Sequence, residues 1–120
     1  MAELGRFVDE RGVIQDLLLG PIDSVTQIYT KAGHVRGNHV HKETIQWVYV
    51  IYGALRVAQE ENGELKVRTH GPNSLITEAA GVPHAWKAMS DCVVLVITRG
   101  PRSGNDYETD TTRLTTPLLS

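Results

Sequence analysis

The stretch Ile45-Gln46-Trp47-Val48-Tyr49-Val50-Ile51-Tyr52-Gly53 decides the fold. Seven of its first eight residues are β-branched or aromatic, a composition that suits a pleated strand, and the glycine ends it. Ala54–Gln59 reads as its hairpin partner. The same grammar extends in both directions. Val13–Leu18, Ser24–Lys31 and Val35–His41 precede it, separated by Gly20-Pro21 and Ala32-Gly33. Leu65–Thr69, Leu75–Thr77, His84–Ala88 and Cys92–Thr98 follow. Asn62-Gly63 is a hairpin signal, because both residues accept positive φ. No window carries the apolar spacing of an amphipathic helix. Short strands between regular turns predict an all-β sandwich or barrel.

The chain has 120 residues, which is room for one domain. The strands divide it into a barrel core at about 13–98 and a polar C-terminal tail at about 99–120. It is 41% hydrophobic and 22% charged, an ordinary globular mix. Twelve basic residues face fourteen acidic ones, a net charge of −2, where a nucleic-acid clamp would show a basic surplus. A signal segment and a membrane-length apolar run are both missing, so a cytoplasmic protein with no membrane partner is expected. Cys92 is the one cysteine; it excludes an intrachain disulfide and any thiolate-rich zinc site, and it reads as a buried inert thiol.

Histidine carries the chemical signal. His39 and His41 are two apart on one strand, so both rings point to one face. Neutral imidazoles side by side suit a metal, and histidine is also the side chain that titrates near neutrality. If the next strand returns antiparallel, Gln46 comes back opposite the pair. His84 follows the turn at Gly81 and Pro83. His34 and His70 read as surface or turn histidines. Trp47, Tyr49 and Ile51 share one strand face, and Gln46, Val48 and Val50 the other. If Gln46 faces inward, the aromatic row faces outward and predicts a homodimer interface. Trp86, two after His84, shares its face and reads as an aromatic wall for a substrate.

Gly33, His39-Val40-His41, Gln46 and Gly53 together resemble the first cupin motif, G-x5-H-x-H-x3,4-E-x6-G. Ala79–His84 resembles the second, P-x-G-x2-H, with Ala79 in place of the proline. The resemblance implies a double-stranded β-helix, the jelly-roll cupin barrel. It implies a divalent metal ion (Zn, Ni, Fe or Mn) held by His39, His41, His84 and Gln46. Gln46 stands where most metal cupins carry glutamate, which leaves the ion more Lewis acidic. The segment from His41 to Gly53 is similar to that of cupins that linearise unsaturated uronates.

Arg36-Gly37-Asn38-His39-Val40-His41-Lys42, with Asp9-Glu10-Arg11-Gly12, also resembles the cupin sugar-nucleotide 3,4-ketoisomerases. That likeness implies His39 and His41 as acid and base without metal, with Arg36 holding an enediolate or phosphate oxygen. Lys42, Trp86 and Arg102 are the expected substrate contacts. The leading expectation is a metal-dependent isomerase or lyase acting on a sugar-derived keto, enol or uronate compound. The alternatives are a metal-free sugar-nucleotide ketoisomerase or epimerase, an iron-dependent dioxygenase, and a non-catalytic small-molecule binding module.

Overall fold

The computed structural model describes residues 4–101 and 104–120. Among them, ten antiparallel strands precede a short helix: β1 (Arg6–Asp9), β2 (Gly12–Gln15), β3 (Ser24–Thr30), β4 (Val35–His41), β5 (Ile45–Tyr52), β6 (Leu55–Glu61), β7 (Glu64–His70), β8 (Leu75–Glu78), β9 (His84–Ala88) and β10 (Cys92–Arg99). The helix α1 (Gly104–Asp110) and the strand β11 (Thr111–Arg113) complete the chain's regular elements. Strands β3-β10-β5-β8 form one sheet and β11-β4-β9-β6-β7 a second. Val48, Val50, Val94 and Val96 of the first pack with Leu55, Val57, Trp86 and Ala88 of the second in one core. This is the jelly roll that the sequence predicts. Cys92 is fully buried there as a free thiol. No helix among the described residues is long and apolar enough to cross a membrane.

The central strand behaves as its alternation requires. Val48 and Val50 are buried, while Trp47 and Tyr49 point away. On that outer face Arg99 stacks over Trp47 at 5.1 Å, and the Tyr49 hydroxyl donates to Asn73 Oδ1 at 3.0 Å. The hairpin expected between Ile45–Tyr52 and Ala54–Gln59 does not form. β6 pairs with β7 and β9, and β5 with β8 and β10. Gly53 explains this: at φ 90° it turns the chain from one sheet into the other. It passes so close to the Asp91 carbonyl and to Cys92 that any Cβ would collide with them. The Asn62-Gly63 hairpin forms as predicted, with φ of 53° and 78° and Glu61 opposite Glu64.

The two ends of the chain depart from expectation. Of the run Val13–Leu18 only the first three residues are strand, as part of β2, which pairs with β1 in an exposed ribbon outside both sheets. The stretch expected as a polar tail supplies α1 and β11. β11 becomes the edge strand beside β4, with Thr111 opposite His41 and Arg113 opposite His39. Pairing outweighed weak local propensity there, since a sheet edge satisfies the segment's backbone groups.

One irregularity positions the site. β4 runs in register with β9 through Arg36 opposite Trp86 and Gly37 opposite Ala85, and resumes at His39 opposite His84. Asn38 is the extra residue of a β-bulge, with φ 89° at Gly37 and 56° at Asn38. A Cβ on Gly37 would stand 3.1 Å from the His84 carbonyl oxygen and 3.2 Å from Ala85 Cα. Gly37→Ala is therefore expected to cost about 1–3 kcal/mol, read as a lower urea midpoint at unchanged m-value. A wild-type midpoint would show that the bulge does not depend on glycine.

Candidate active site

β4, β9, β8 and α1 bring the site together. β4 presents His39 and His41 on one face, with ring centroids 4.5 Å apart. β9 brings His84 to 4.6 Å from His39 and 5.4 Å from His41. The ligand-capable nitrogens of all three rings lie within 4.8 Å of one another. A cavity of about 170 Å³ opens on this cluster, lined among others by Arg36, His39, Gln46, His84, Trp86 and Tyr107. Arg36 is held from the side, its Nε donating to Thr30 Oγ1 at 2.9 Å and Nη2 to the Tyr29 carbonyl at 3.3 Å. It also lines a neighbouring cavity of about 320 Å³ with Tyr29, Lys31 and His34.

His41 lies behind His39 and is 1% exposed. Its Nδ1 is 3.0 Å from Thr111 Oγ1 and 3.7 Å from Asp110 Oδ2, which leaves Nε2 buried without a partner. Asp110 is itself anchored. It accepts from the Glu43 and Thr44 amides and from the Thr44 hydroxyl. Burial pushes its carboxyl up, but those donors hold it below the usual carboxylate range.

His84 is gripped at both ring nitrogens. Nδ1 is 3.2 Å from the Val82 carbonyl, and Nε2 is 2.8 Å from Glu78 Oε2. The second contact has ion-pair length without the alignment of a straight hydrogen bond, and Glu78 Oε1 has no partner at all. Burial works against charge on His84, yet Glu78 and the Val82 carbonyl raise its pKa. Burial, the charges on His84 and His41, and then Arg113 lower that of His39 to about 3. His41 is lowered by burial and by His84, against the opposing pull of Asp110 and Glu78. The site therefore holds two neutral imidazoles beside one that is favoured as a cation.

Of the residues the sequence nominates, His39, His84, Gln46, Trp86 and Arg36 line one cavity, with His41 behind it. Gln46 donates Nε2 to Thr98 Oγ1 at 3.3 Å and lies on the His41 side of the cavity, where it favours the charged form of that ring. Lys42 does not join them. It lines a different cavity with Asp23, Glu43, Asp106 and Asp110, because the strand turns away after His41. Arg102 lies outside the described residues. His34 is exposed and His70 half-buried on β7, both away from the cluster.

Glu78, Tyr107, Asp110 and Thr111 escaped the sequence reading. For Glu78 a signal existed: it continues the alternation of Leu75–Thr77 by one residue, on the same face as buried Ile76. The other three sit in the tail, where no periodicity announces an inward face.

No family model matches the sequence, and no curated protein is significantly similar to it. Solved structures resemble it in fold. QdtA, a sugar 3,4-ketoisomerase from Thermoanaerobacterium thermosaccharolyticum in complex with TDP, superposes with a TM-score of 0.74 at 20% identity, over 93% of this chain and 85% of that one. Another structure of that enzyme holds TDP-4-keto-6-deoxyglucose. A 3,4-ketoisomerase from Helicobacter canadensis gives 0.71 at 20% identity, over 87% and 84%. A dTDP-4-dehydrorhamnose 3,5-epimerase from Sulfolobus tokodaii gives 0.66 at 16%, over 90% and 72%. These are cupin folds, and the chain described here has the cupin jelly roll.

The low proton affinity of His39 has a consequence for stability. Between pH 6.5 and about 3 the unfolded chain takes a proton at this residue that the folded site refuses. The contribution is present above pH 6.5 and is lost as the pH falls towards 3. His84, raised, contributes the opposite way: stability present below its unfolded value and lost as the pH rises through the folded one. With chelator present, the melting temperature is expected to fall from pH 7 to pH 5, and His39→Asn to flatten that slope. An unchanged slope in His39→Asn would show that other groups carry the acid sensitivity.

Proposed function

We propose that the chain is a sugar-nucleotide carbonyl isomerase, of the ketoisomerase or epimerase kind, that works by proton transfer at a carbon beside a carbonyl. The observation that carries this reading is the pair of neutral imidazoles, His39 lining the cavity and His41 directly behind it. The cavity of about 170 Å³ suits a sugar ring more than a whole nucleotide. Arg36 links it to the neighbouring space beside Lys31 and His34, where a diphosphate would meet basic side chains. The solved ketoisomerases with this fold support the same substrate class.

His39 is the acid–base residue that touches the sugar. It accepts the proton from the carbon next to the carbonyl, and the bonding electrons pass to the carbonyl oxygen as an enediolate. Protonation of the former carbonyl carbon, with the neighbouring hydroxyl's proton passing to the enediolate oxygen, then moves the carbonyl by one carbon without net oxidation. Burial and then the charges of its neighbours suppress the proton affinity of His39, and an anionic substrate offsets those charges. His41, oriented by Thr111 and Asp110, stands within reach of His39 as the second member of a proton relay. Arg36 and His84, whose charged form Glu78 favours, face the oxygen on which negative charge develops. Trp86 supplies an apolar wall to the ring.

A second reading has its own observation: three imidazole nitrogens converge, and two buried Nε2 atoms have no aligned hydrogen-bond partner. Those donors are of the kind that hold Zn, Ni, Fe or Mn, with Gln46 beside them. Such an ion would supply Lewis-acid polarisation of the substrate oxygen. The homodimer remains part of the proposal. Exposed Ile51 and Tyr29 extend the outer aromatic row of Trp47 and Tyr49 on the same sheet. Light scattering at micromolar concentration is expected to give twice the chain mass, and a monomer would remove this part.

The principal test follows deuterium entering TDP-4-keto-6-deoxyglucose from heavy water by NMR. Wild-type protein is expected to catalyse exchange next to the carbonyl in excess chelator, and His39→Asn to slow it by about 100-fold or more. No exchange by wild-type protein, or equal exchange by His39→Asn, overturns the isomerase reading. Activity lost to chelator and restored by one added ion would favour the metal reading instead.

A further inference from the structure

Tyr107 is the cavity residue that the mechanism above leaves unused. It lines the histidine cavity, and its ring centroid is 5.8 Å from that of His41. Among the described residues it differs in origin from the rest of the lining. The others are carried by β3, β4, β5, β8, β9 and β10, strands of the two sheets, whereas Tyr107 comes from α1, outside them. A wall built on paired strands is fixed by the barrel. A wall on a short separate element can vary without disturbing the core.

The local structure explains why this ring turns inward. In α1 only Tyr107 and Asp110 are withdrawn from solvent, and they stand three residues apart, on one face of the helix. Asp110 is the pin: its carboxylate accepts from the Glu43 and Thr44 amides, and β11 pairs with β4 from the next residue onward. The Thr109 hydroxyl closes the turn onto the Asn105 carbonyl at 3.1 Å. Sheet register gives the cavity a direction. Trp86 stands opposite Arg36, and His84 opposite His39. Trp86 therefore bounds the cavity at the Arg36 end, and Tyr107 bounds it at the His41 end. Tyr107 is half-buried, which suits a residue at a mouth rather than in a core.

We propose that Tyr107 is a specificity-determining residue: it caps the His41 end of the cavity and selects a ligand that carries a polyhydroxylated ring, seated between its phenol and Trp86. An aromatic face packs against the C–H groups of such a ring, and the phenol hydroxyl both donates to and accepts from ring hydroxyls. With the cap in place the cavity measures about 170 Å³, the space of one ring. Without the phenol the cavity opens past His41. Tyr107 does not carry the proton in this arrangement. His39 and His41 do that, and Tyr107 decides what is held against them.

The identity of the ring rests on the sugar-nucleotide reading; the cap does not, and two measurements separate them. The first uses no substrate. Full-length, chelator-treated protein is labelled with diethyl pyrocarbonate at neutral pH, and tandem mass spectrometry locates the modified histidines. Exposed His34 serves as the internal reference. Relative to His34, His39 and His41 are expected to label about fivefold faster or more in Tyr107→Ala than in wild type. In Tyr107→Phe they are expected to label at the wild-type rate. Equal rates in wild type and Tyr107→Ala overturn the cap. Tyr107→Leu, which also removes the ring, takes the place of Tyr107→Ala should that variant fail to fold. The second measurement is calorimetric titration with TDP-glucose and with TDP. Wild-type protein is expected to bind TDP-glucose more tightly than TDP, and Tyr107→Ala to lose about tenfold of that preference. Tyr107→Phe is expected to recover most of it. An unchanged preference in a Tyr107→Ala protein that labels faster overturns the specificity role. A wild-type protein that binds neither ligand sinks the sugar-nucleotide reading alone, because the labelling stands independently of it.

Discussion

The bulge at Asn38 is the constraint on which the rest of the site depends. Side chains alternate along a strand, so Arg36 and His39 would ordinarily face opposite sides of the sheet. The extra residue resets the alternation, and Arg36, His39 and His41 all turn inward. The bulge is secured from outside. The Asn38 side chain accepts from the Leu118 amide at 2.7 Å and donates to the Leu119 carbonyl at 3.0 Å, while its own carbonyl accepts from Leu114 at 2.9 Å. The last residues of the chain are therefore a strap over the strand that carries the histidines. The same polar side chain that tolerates the left-handed backbone also anchors the strap.

This organisation explains which features the sequence disclosed. The H-x-H pair needed only strand periodicity, and the inward Val48 and Val50 needed nothing more. Glu78 also obeys alternation and is legible in principle, but it lies one residue past the apolar run Leu75–Thr77. Gly53 announced a break, but the break between paired strands and the corner between two sheets look alike in sequence. Only the crowding against Asp91 and Cys92 tells them apart. Asp110 and Thr111 gave no local sign. Their places follow from β11 finding the free edge of β4, a contact between residues about seventy positions apart in the chain.

The electrostatics of the site are those of a few groups kept out of water and out of balance. Asp110 spends its acceptors on Glu43 and Thr44, so its pull on His41 at 3.7 Å is that of a neighbour, not a partner. Glu78 spends one oxygen on His84 and nothing on the other. His39, nearest the cavity, is left neutral by burial first and by its neighbours His84, His41 and Arg113 after that. Three chemically identical side chains within a few ångströms are thus given different protonation preferences by what lies behind each of them. Imidazoles so differentiated can divide the work of proton transfer and charge stabilisation, which identical ones cannot.

The buried Glu78–His84 pair is hard to account for by stability. Removing two ionic groups from water costs several kcal/mol each after relaxation, and apolar residues of similar size often serve a core at least as well. The surrounding strands show that apolar filling is available: Val48, Val94 and Val96 occupy equivalent inward positions on neighbouring strands. A fold that packs its interior with valine but keeps a buried acid–imidazole contact beside its histidine cluster gives up stability for a local property. That property is the orientation of the His84 ring, which lies between the Val82 carbonyl and Glu78 Oε2. The jelly roll supplies the rigidity, since both acceptors come from the walls of the same barrel that carries the ring.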